Sequence, residues 1–462
     1  MAIEELTLAE AARLMEAGET SASELTEQAL ARIDALDAQL KAHTHVLRES
    51  ARAEARRADE ERAAGRSRGP LHGIPVGIKD LIDIAGYRTG AGMTVREGHR
   101  AGEDATVVRR LREAGAVIVG KQQLSEGATA EHHPAIDPPR NPWSPDHWTG
   151  ISSSGTGVAV SAGYCFAALG TDTGGSVRFP AAACGITGFK PSYGRVSRAG
   201  LVPLSQSFDH IGPLARTAED AELVLAVLAG RDEADPTSLA DPFVPQSAEI
   251  AGMRIGVDPR WCRERIEPSV AAALAEAEEV FRELGAEIVE VDFPSTREVM
   301  SIGIALMLAE QILNHRETWP SRRADYGPAL AANLDAAPML TAETVTLAGL
   351  ARDAFRGSVE AMFVGVDLFL CPVMPIAVPS LARMQELLGD MMTFGDRVAR
   401  YTIPFDASGS PAISLPAGFD EAGLPSSVQL VGPMRGDARV LAAAKAYQSI
   451  TGWHLRRPAL RP

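Results

Sequence analysis

The sequence predicts an α/β protein built around a β-sheet, and two observations carry that prediction. Short apolar runs, IPVGI at 74–78 and AVIVG at 116–120, flank a helix-type pattern at about 105–114. This alternation of strand and helix periodicity is typical of a sheet with helical connections. The chain has 462 residues, of which 45% are apolar and 23% charged, so it can bury a large core.

Residues 1–66 are predicted to form helices wrapped around the outside of that core. Thr7 and Ser21 are each followed three residues later by glutamate. In this capping box the hydroxyl and the carboxylate each accept a hydrogen bond from an otherwise unpaired backbone N–H. The Arg- and Glu-rich run 51–66 is interpreted as a solvated helix with ion pairs between turns, and it ends before Gly69.

The same alternation continues to the end of the chain, so we predict a single domain over residues 1–462. The segment 132–148 is rich in Pro, Asn, His and Asp and is predicted to be a loop. The region 150–200 is dense in Gly and Ser but interleaved with apolar residues, which favours tightly turned core over a linker. Further strands are predicted at 253–257, 286–292, 369–375, 412–416 and 427–432, helices at 268–284, over most of 295–350, and at the end of the chain, where Asp437 is expected to be the cap.

Charge and cysteine content exclude several functions. The formal net charge of −15 argues against a nucleic-acid partner, since phosphate binding needs clustered positive charge. The acidic N-terminus lacks the features of a signal peptide, and the apolar stretch 299–313 is too short to span a bilayer. The four cysteines lack the spacing of a zinc site, so we expect them to be buried free thiols: Cys165, Cys184, Cys262 and Cys371. Together these features predict a cytoplasmic protein without membrane contact, and we expect neither a metal nor a cofactor.

Three segments carry side chains suited to nucleophilic catalysis: a strand ending in Lys79, the serine triplet 152–154, and the run GTDTGGS ending in Ser176. A serine hydroxyl attacks well only when a base removes its proton. Lysine can be that base if burial lowers its pKa from about 10.4 towards neutrality. Ser152 would pass the proton from Ser176 to Lys79 if these two were out of direct reach. A glycine-rich turn lets backbone N–H groups converge on an oxyanion, here from Thr173, Gly174, Gly175 and Ser176.

Together these segments resemble the amidase signature family from Gly69 to about Ala444. The run GPLHGIPVGIKD contains Lys79, GISSSGTG contains Ser152, and GTDTGGSVRFP contains Ser176. The runs GFKPSYGRVS from 188, FDHIGPLAR from 208 and GLPSSVQLVG from 423 also resemble family segments in the same order.

The resemblance implies a Ser-cisSer-Lys triad, in which Ser176 is the nucleophile, Ser152 bridges through what is often a cis peptide, and Lys79 is the base. Ser153, Asp172 and Arg178 are expected to support the glycine turn. The implied fold is a large mixed sheet covered by helices on both faces. The implied activity is hydrolysis of a carboxylic amide, and related enzymes also cleave anilides, carbamates and esters.

The chain departs from the family pattern at Ile151, which replaces a glycine, and at Ser154 and Thr156. The helical segment 295–350 shows no match and is expected to be an insertion beside the substrate pocket. The apolar side chains predicted to line that pocket are Ile302, Ile304, Met307, Leu308, Met374, Met391 and Met392.

Three alternatives stay open. A Ser-His-Asp hydrolase would need one of the histidines, although no GxSxG nucleophile elbow is present. A glutaminase-type amidotransferase component would share the motifs but work with partner subunits. A silent binding module could keep the fold without the activity. The expected partner is a small-molecule amide, and a homodimer is left open as the oligomeric state.

Overall fold

Eleven strands form one mixed sheet in the computed structural model, which describes residues 2–460. The strands are β1 (His43–Val46), β2 (Pro75–Lys79), β3 (Val117–Gln122), β4 (Ala167–Asp172), β5 (Thr187–Lys190), β6 (His210–Ala215), β7 (Arg254–Val257), β8 (Glu287–Glu290), β9 (Leu368–Pro372), β10 (Ala412–Phe419) and β11 (Pro425–Val431). Their order across the sheet is β1-β3-β2-β4-β6-β5-β10-β11-β9-β7-β8. β2 runs parallel to β3 and β4, and β7 runs parallel to β8 and β9. The other neighbours are antiparallel, so the predicted mixed sheet is confirmed.

Fifteen α-helices surround the sheet within the described residues. They are α1 (Leu8–Glu16), α2 (Ala22–Leu40), α3 (Arg48–Ala63), α4 (Thr106–Glu113), α5 (Ser154–Ser161), α6 (Arg178–Cys184), α7 (Ala218–Leu228), α8 (Pro268–Glu283), α9 (Val299–His315), α10 (Pro328–Ala336), α11 (Ala342–Met362), α12 (Leu381–Leu388), α13 (Met391–Arg397), α14 (Ile403–Ser408) and α15 (Asp437–Ile450). Within the same residues, no helix combines the length and apolar character that crossing a membrane requires.

Helices cover both faces of the central strands. Every residue of β2, β3, β4, β6 and β9 is buried, although successive side chains of a strand point to opposite faces. α5 packs on β2 and β4, α7 on β6, and α8 on β10 and β11. Burial on both faces explains why β2 and β9, and the first half of β3, have continuous apolar runs rather than alternating patterns.

The N-terminal helices begin as the capping boxes predict. The Glu10 N–H donates to Thr7 Oγ1 at 3.1 Å, and the Thr7 N–H donates to the Glu10 carboxylate at 2.8 Å. Ser21 and Glu24 repeat this exchange at the start of α2. The prediction for 1–66 missed β1, a short strand at the sheet edge.

Other differences from the predictions concern the strands β4 to β6, the cap of helix α15 and the extent of the helical segment. β4 and β5 lie where only tightly turned core was predicted, and β6 lies where no element was predicted. Gly170, Gly188 and Gly212 weaken the strand pattern of these segments. Asp437 is not the cap of α15: the N-cap is Gly436, and Asp437 is the first helical residue. Its carboxylate instead accepts hydrogen bonds from the Ser192 N–H and hydroxyl. The helical segment 295–350 contains α9, α10 and the first part of α11, which continues to Met362.

Candidate active site

The parallel pairing of β2 with β4 brings Lys79 to the centre of the site. These strands end at the same edge of the sheet, and Ile78 pairs with Leu169. The Lys79 Nζ lies 2.8 Å from Ser152 Oγ and 2.7 Å from Thr171 Oγ1. Lysine and the first predicted serine are therefore in hydrogen-bond contact although the sequence separates them widely.

Lys79 has the environment that a lysine base requires. Its side chain is fully buried and makes no ion pair within residues 2–460. Burial lowers the pKa of Lys79 to about 7, although the charges of Asp209 and Asp172 oppose that change. A substantial fraction of the amine is then uncharged near neutral pH and has a free lone pair.

The peptide bond between Ile151 and Ser152 is cis. The glycine before it, Gly150, has a φ of 78°, and a Cβ there would lie 2.4 Å from the Pro180 nitrogen. Ile151 occupies the position where the family has a second glycine, and its side chain faces the cavity described below. The departure from the family pattern thus adds an apolar group to the cavity wall.

Ser176 lies in a turn that is held by Asp172, at the end of β4. The Asp172 carboxylate accepts hydrogen bonds from the N–H groups of Gly175 at 2.6 Å and Val177 at 3.0 Å. The Ser153 N–H donates to the Ser176 carbonyl at 3.3 Å, which joins the turn to the serine triplet. The Ser153 hydroxyl also exchanges hydrogen bonds with the Thr171 backbone, at 3.2 Å each.

The backbone N–H groups of this turn differ in their availability. The Gly175 N–H already donates to Asp172. No acceptor within residues 2–460 is found for the N–H of Gly174 or Ser176, or for that of Thr173. Of the four N–H groups predicted to face an anion, that of Gly175 is already engaged, because the carboxylate that shapes the turn accepts its hydrogen bond.

Arg178 sits beneath the turn with all of its donors in use. Its guanidinium donates twice to Asp172, once to Asp406 at 2.6 Å, and once each to the Thr402 carbonyl and the Gln429 side chain. The side chain is fully buried. Burial raises the pKa of Asp172, but Arg178 and the backbone N–H groups outweigh it and hold that pKa well below its usual range. The predicted support of the turn by Asp172 and Arg178 is a dense, buried ionic network.

We expect Gly175→Ala to disrupt the turn. Gly175 has a φ of 126°, and an added Cβ would lie 2.5 Å from the Phe179 ring. Such strain costs about 1–3 kcal/mol of unfolding free energy and would move Ser176. Urea unfolding and amide turnover measure both effects. The matched control is Gly357→Ala, in helix α11 with no atom within 4 Å of the added Cβ, which should be neutral or slightly stabilising. Unchanged turnover in Gly175→Ala would contradict the assignment of this turn.

A cavity of about 140 Å³ opens above Ser176. Its volume is similar to that of apolar cavities of about 150 Å³ that hold benzene. The lining residues are mainly apolar. They come from the loop after β3, from the segment before β6, from helices α6, α9, α10, α12, α13 and α14, and from the turns at Ile151 and Ser176: Ala128, Thr129, Ala130, Glu131, Ile151, Thr173, Gly174, Ser176, Phe179, Leu204, Phe208, Met300, Gly303, Ile304, Met307, Ala329, Asn333, Leu388, Met391, Phe394 and Ile403.

Only part of the predicted lining is correct. Ile304, Met307 and Met391 line the cavity. Ile302 and Leu308 are instead buried in the core, and Met374 packs in a second apolar cluster. Met392 is more than half exposed and does not face the cavity. Because α9 is apolar on most of its surface, its sequence does not reveal which face turns to the cavity, and that face is Met300, Gly303, Ile304 and Met307.

Two residues of the site were not singled out from the sequence. Thr171 contacts the Lys79 amine, and only the pairing of β2 with β4 reveals this. Asp209 accepts hydrogen bonds from the Thr173 hydroxyl at 2.6 Å and the Leu204 N–H at 3.0 Å. Burial raises the pKa of Asp209 to about 6.

The histidines do not form the rival Ser-His-Asp arrangement. Within residues 2–460 no histidine ring makes a hydrogen bond to Ser176 or Ser152. His132 contacts the Ser154 hydroxyl at 3.0 Å, and His210 lies 3.2 Å from the Asp172 carbonyl. Burial lowers the pKa of both rings, that of His132 to about 4, so neither is poised as a base near neutral pH.

Comparison with known proteins identifies the family to which the chain is related. The family model described as Amidase matches residues 24–441. A protein named "Putative amidase AmiD" from Mycobacterium tuberculosis is 41% identical over 461 residues, which cover 99% of this chain and 96% of that protein. A glutamyl-tRNA(Gln) amidotransferase subunit from Chloroflexus aurantiacus is 39% identical over 98% of both chains. The native peptide amidase from Stenotrophomonas maltophilia superposes with a TM-score of 0.83 at 30% identity, over 98% of both chains.

The fold and the site define a hydrolase of amide C–N bonds. The chain belongs to the amidase family, as the resemblance of its motifs predicted.

Proposed function

We propose that this protein is a serine amidohydrolase in which Ser176 attacks the substrate, Ser152 relays the proton and Lys79 is the base. The observation that carries the proposal is the contact of 2.8 Å between the buried Lys79 amine and Ser152 Oγ. An amine with a pKa of about 7 can accept a proton near neutral pH. The absence of any carboxylate contact on that amine within residues 2–460 supports the same role, because an ion pair would keep it charged.

The reaction begins as the Ser176 oxygen bonds to the amide carbon. Its proton passes to Ser152 while the Ser152 proton passes to Lys79, and the carbonyl oxygen becomes an oxyanion. As the C–N bond breaks, Lys79 returns the proton through Ser152 to the leaving nitrogen. Water then attacks the acyl ester by the same relay, which releases the carboxylic acid and restores Ser176.

We infer that the oxyanion is bound by the N–H groups of Thr173, Gly174 and Ser176, and not by that of Gly175. Each donor of this kind contributes about 3 kcal/mol to transition-state stabilisation. Asp172 would act indirectly, because it holds the Gly175 N–H and so fixes the direction of its neighbours. Ser153 and Arg178 support the same turn without touching substrate.

The cavity favours a small apolar amide. Its size fits a group of about one aromatic ring, and Met300, Ile304 and Phe394 give it an apolar wall. Aryl amides, anilides and aryl carbamates share this shape. We expect the protein to act on such small molecules in the cytoplasm, as a monomer or a homodimer and without partner proteins of another kind.

The cavity argues against glutamine as the preferred substrate, which the amidotransferase alternative would require. Glutamine carries an α-carboxylate, whose desolvation needs a cationic partner. Among the described residues that line the cavity, the single charged side chain is Glu131, which is negative. The similarity to the Chloroflexus amidotransferase protein keeps this alternative as an arm of the experiment below.

A substrate panel with covalent labelling tests the proposal. Wild-type protein and Ser176→Ala are incubated with p-nitroanilides, simple aromatic amides, aryl carbamates, amino-acid amides and glutamine. We expect hydrolysis of aromatic amides or anilides above glutamine, and a fluorophosphonate probe should label the wild type and not Ser176→Ala. Labelling that persists in Ser176→Ala would refute the nucleophile. Glutamine as the best substrate would favour the amidotransferase alternative. Absence of both labelling and turnover in the wild type would favour the silent binding module.

A further inference from the structure

The loop that follows β3 places one charged side chain in an otherwise uncharged cavity wall. Residues 128–131 of this loop line the cavity, and Glu131 is their last member. All other lining residues within the described chain are uncharged. A substrate in the cavity therefore meets a single formal charge, and that charge is negative.

The backbone fixes Glu131 relative to the catalytic serines. The Glu126 N–H donates to the Glu131 carbonyl at 2.8 Å and closes the loop. The next residue, His132, contacts the Ser154 hydroxyl at 3.0 Å, at the start of helix α5. Ser154 lies two residues after Ser152, so the position of Glu131 is tied to the proton relay.

The Glu131 carboxylate has no partner among residues 2–460. The residue is exposed, and its side chain makes no hydrogen bond or ion pair to any residue from 2 to 460. Other carboxylates at the surface do form such pairs, for example Asp396 with Arg265 at 2.7 Å. A carboxylate at the cavity that no described residue occupies is available to a ligand, and its exposure keeps the expected contribution to binding modest.

The titratable groups near Glu131 do not cancel the negative charge that it brings to the cavity. Glu126 stands behind the loop and accepts the Gly327 N–H, and burial raises its pKa to about 7. His132 is uncharged near neutral pH because burial lowers its pKa to about 4. Arg352 lies 5.3 Å from the centre of the Phe208 ring, and it is absent from the cavity lining.

We propose that Glu131 selects amide substrates that carry a cationic amino group remote from the scissile bond and disfavours those with a carboxylate there. The inference rests on the proposed function and names its substrate class: an apolar, ring-sized amide with one primary amine at its far end. The apolar wall would bind the ring, and Glu131 would pair with the ammonium. Glu131 is thus a specificity-determining residue that takes no part in the proton relay.

Substrates matched in shape test this inference. 4-(Aminomethyl)benzamide, 4-methylbenzamide and 4-carbamoylbenzoate differ mainly in charge, and the corresponding acetanilides place the same groups on the leaving side. In at least one of the two series, we expect wild-type kcat/KM to be highest for the cationic compound, intermediate for the neutral one and lowest for the anionic one. Glu131→Gln should lower the ratio of cation to anion about tenfold, since an exposed pair or like-charge contact changes binding by up to about fivefold each. Glu131→Lys should lower it further.

Salt and a remote charge provide controls. The wild-type ratio should fall in 1 M salt, where the screening length is about 3 Å. Glu290→Gln, an exposed change on strand β8 outside the cavity lining, should leave the ratio unchanged. The same compounds are also tested as competitors of fluorophosphonate labelling of Ser176, so that compounds that are not hydrolysed still report relative affinity.

The outcomes separate the two hypotheses. Ser176-dependent labelling together with equal ratios in wild type and Glu131→Gln, in both turnover and competition, overturns the role of Glu131 and leaves the proposed function intact. Labelling that does not depend on Ser176 overturns the proposed function itself. A ratio that falls in Glu131→Gln and again in Glu131→Lys supports the inference.

Discussion

Lys79→Met should lower kcat by at least about 10³-fold at pH 7 and still give a folded protein. Removal of a general base costs about 10²–10⁴-fold, and groups that act as one unit lose nearly all of their effect when one member is removed. Methionine has a similar length and no charge, so it fits the buried space below Ser152 and Thr171. Single-turnover kinetics with the best substrate of the panel measure the loss.

The pH dependence of stability gives this variant a second readout. The pKa of Lys79 is about 7 in the folded protein and about 10.5 when it is exposed by unfolding. Between these values the unfolded chain binds one more proton than the folded protein, so the unfolding free energy rises with pH. The contribution of Lys79 is fully present above pH 10.5 and is lost as the pH falls towards 7, at up to about 1.4 kcal/mol per pH unit.

Urea unfolding at pH 7, 8 and 9 should therefore show a weaker rise in Lys79→Met than in wild type. kcat/KM of the wild type should rise through an apparent pKa of about 7 as the amine loses its proton. Lys121→Met is the matched control, because Lys121 is also buried but pairs with Asp80 at 2.9 Å. It should lose stability, since Asp80 is left without its partner, and retain the pH profile of the rate. Identical slopes for wild type and Lys79→Met would show that the amine is not buried in its uncharged form.

Local sequence signals predicted the elements that depend on local interactions. The capping boxes at Thr7 and Ser21 involve neighbours in the chain, and both form as expected. β2 and β3 were evident because burial on both faces makes them continuously apolar. β1, with the sequence HTHV, was missed because its stability comes from pairing with β3 and not from its own composition.

The motifs predicted the types of catalytic residue in the site, but not the environment of those residues or the composition of the cavity wall. The family motifs identified the residue types at Lys79 and Ser152, and the structure brings these two into contact. Whether a lysine is buried without an ion pair is decided by distant segments, which the strand ending in Lys79 does not reveal. Residues of the cavity wall such as Met300 and Glu131 depend on how α9 and the loop after β3 are oriented, and neither carries a periodic signal that specifies this.

Asp172→Asn should destabilise the protein by about 3–5 kcal/mol, whereas Asp406→Asn should cost about 1 kcal/mol or less. Both carboxylates are buried and contact Arg178. Asp172 is ionised, because the fork of Arg178 and the N–H groups of the turn hold its pKa well below its usual range against the effect of burial. Its loss leaves Arg178 without its bidentate partner, and removal of one partner from a buried ion pair is costly.

For Asp406, in contrast to Asp172, the surroundings disfavour the ionised form of the carboxyl group. Burial and the nearby charge of Asp172 raise its pKa well above its usual value, and one of its oxygens has no hydrogen-bond partner among the described residues. Asparagine at 406 keeps the acceptor that Arg178 uses and removes only a charge that the site disfavours. Urea unfolding at pH 7 measures both variants, and equal losses would contradict this division of charge. Because the Asp172 carboxylate also orders the turn that carries Ser176, Asp172→Asn should lower kcat more than Asp406→Asn does under conditions where both remain folded.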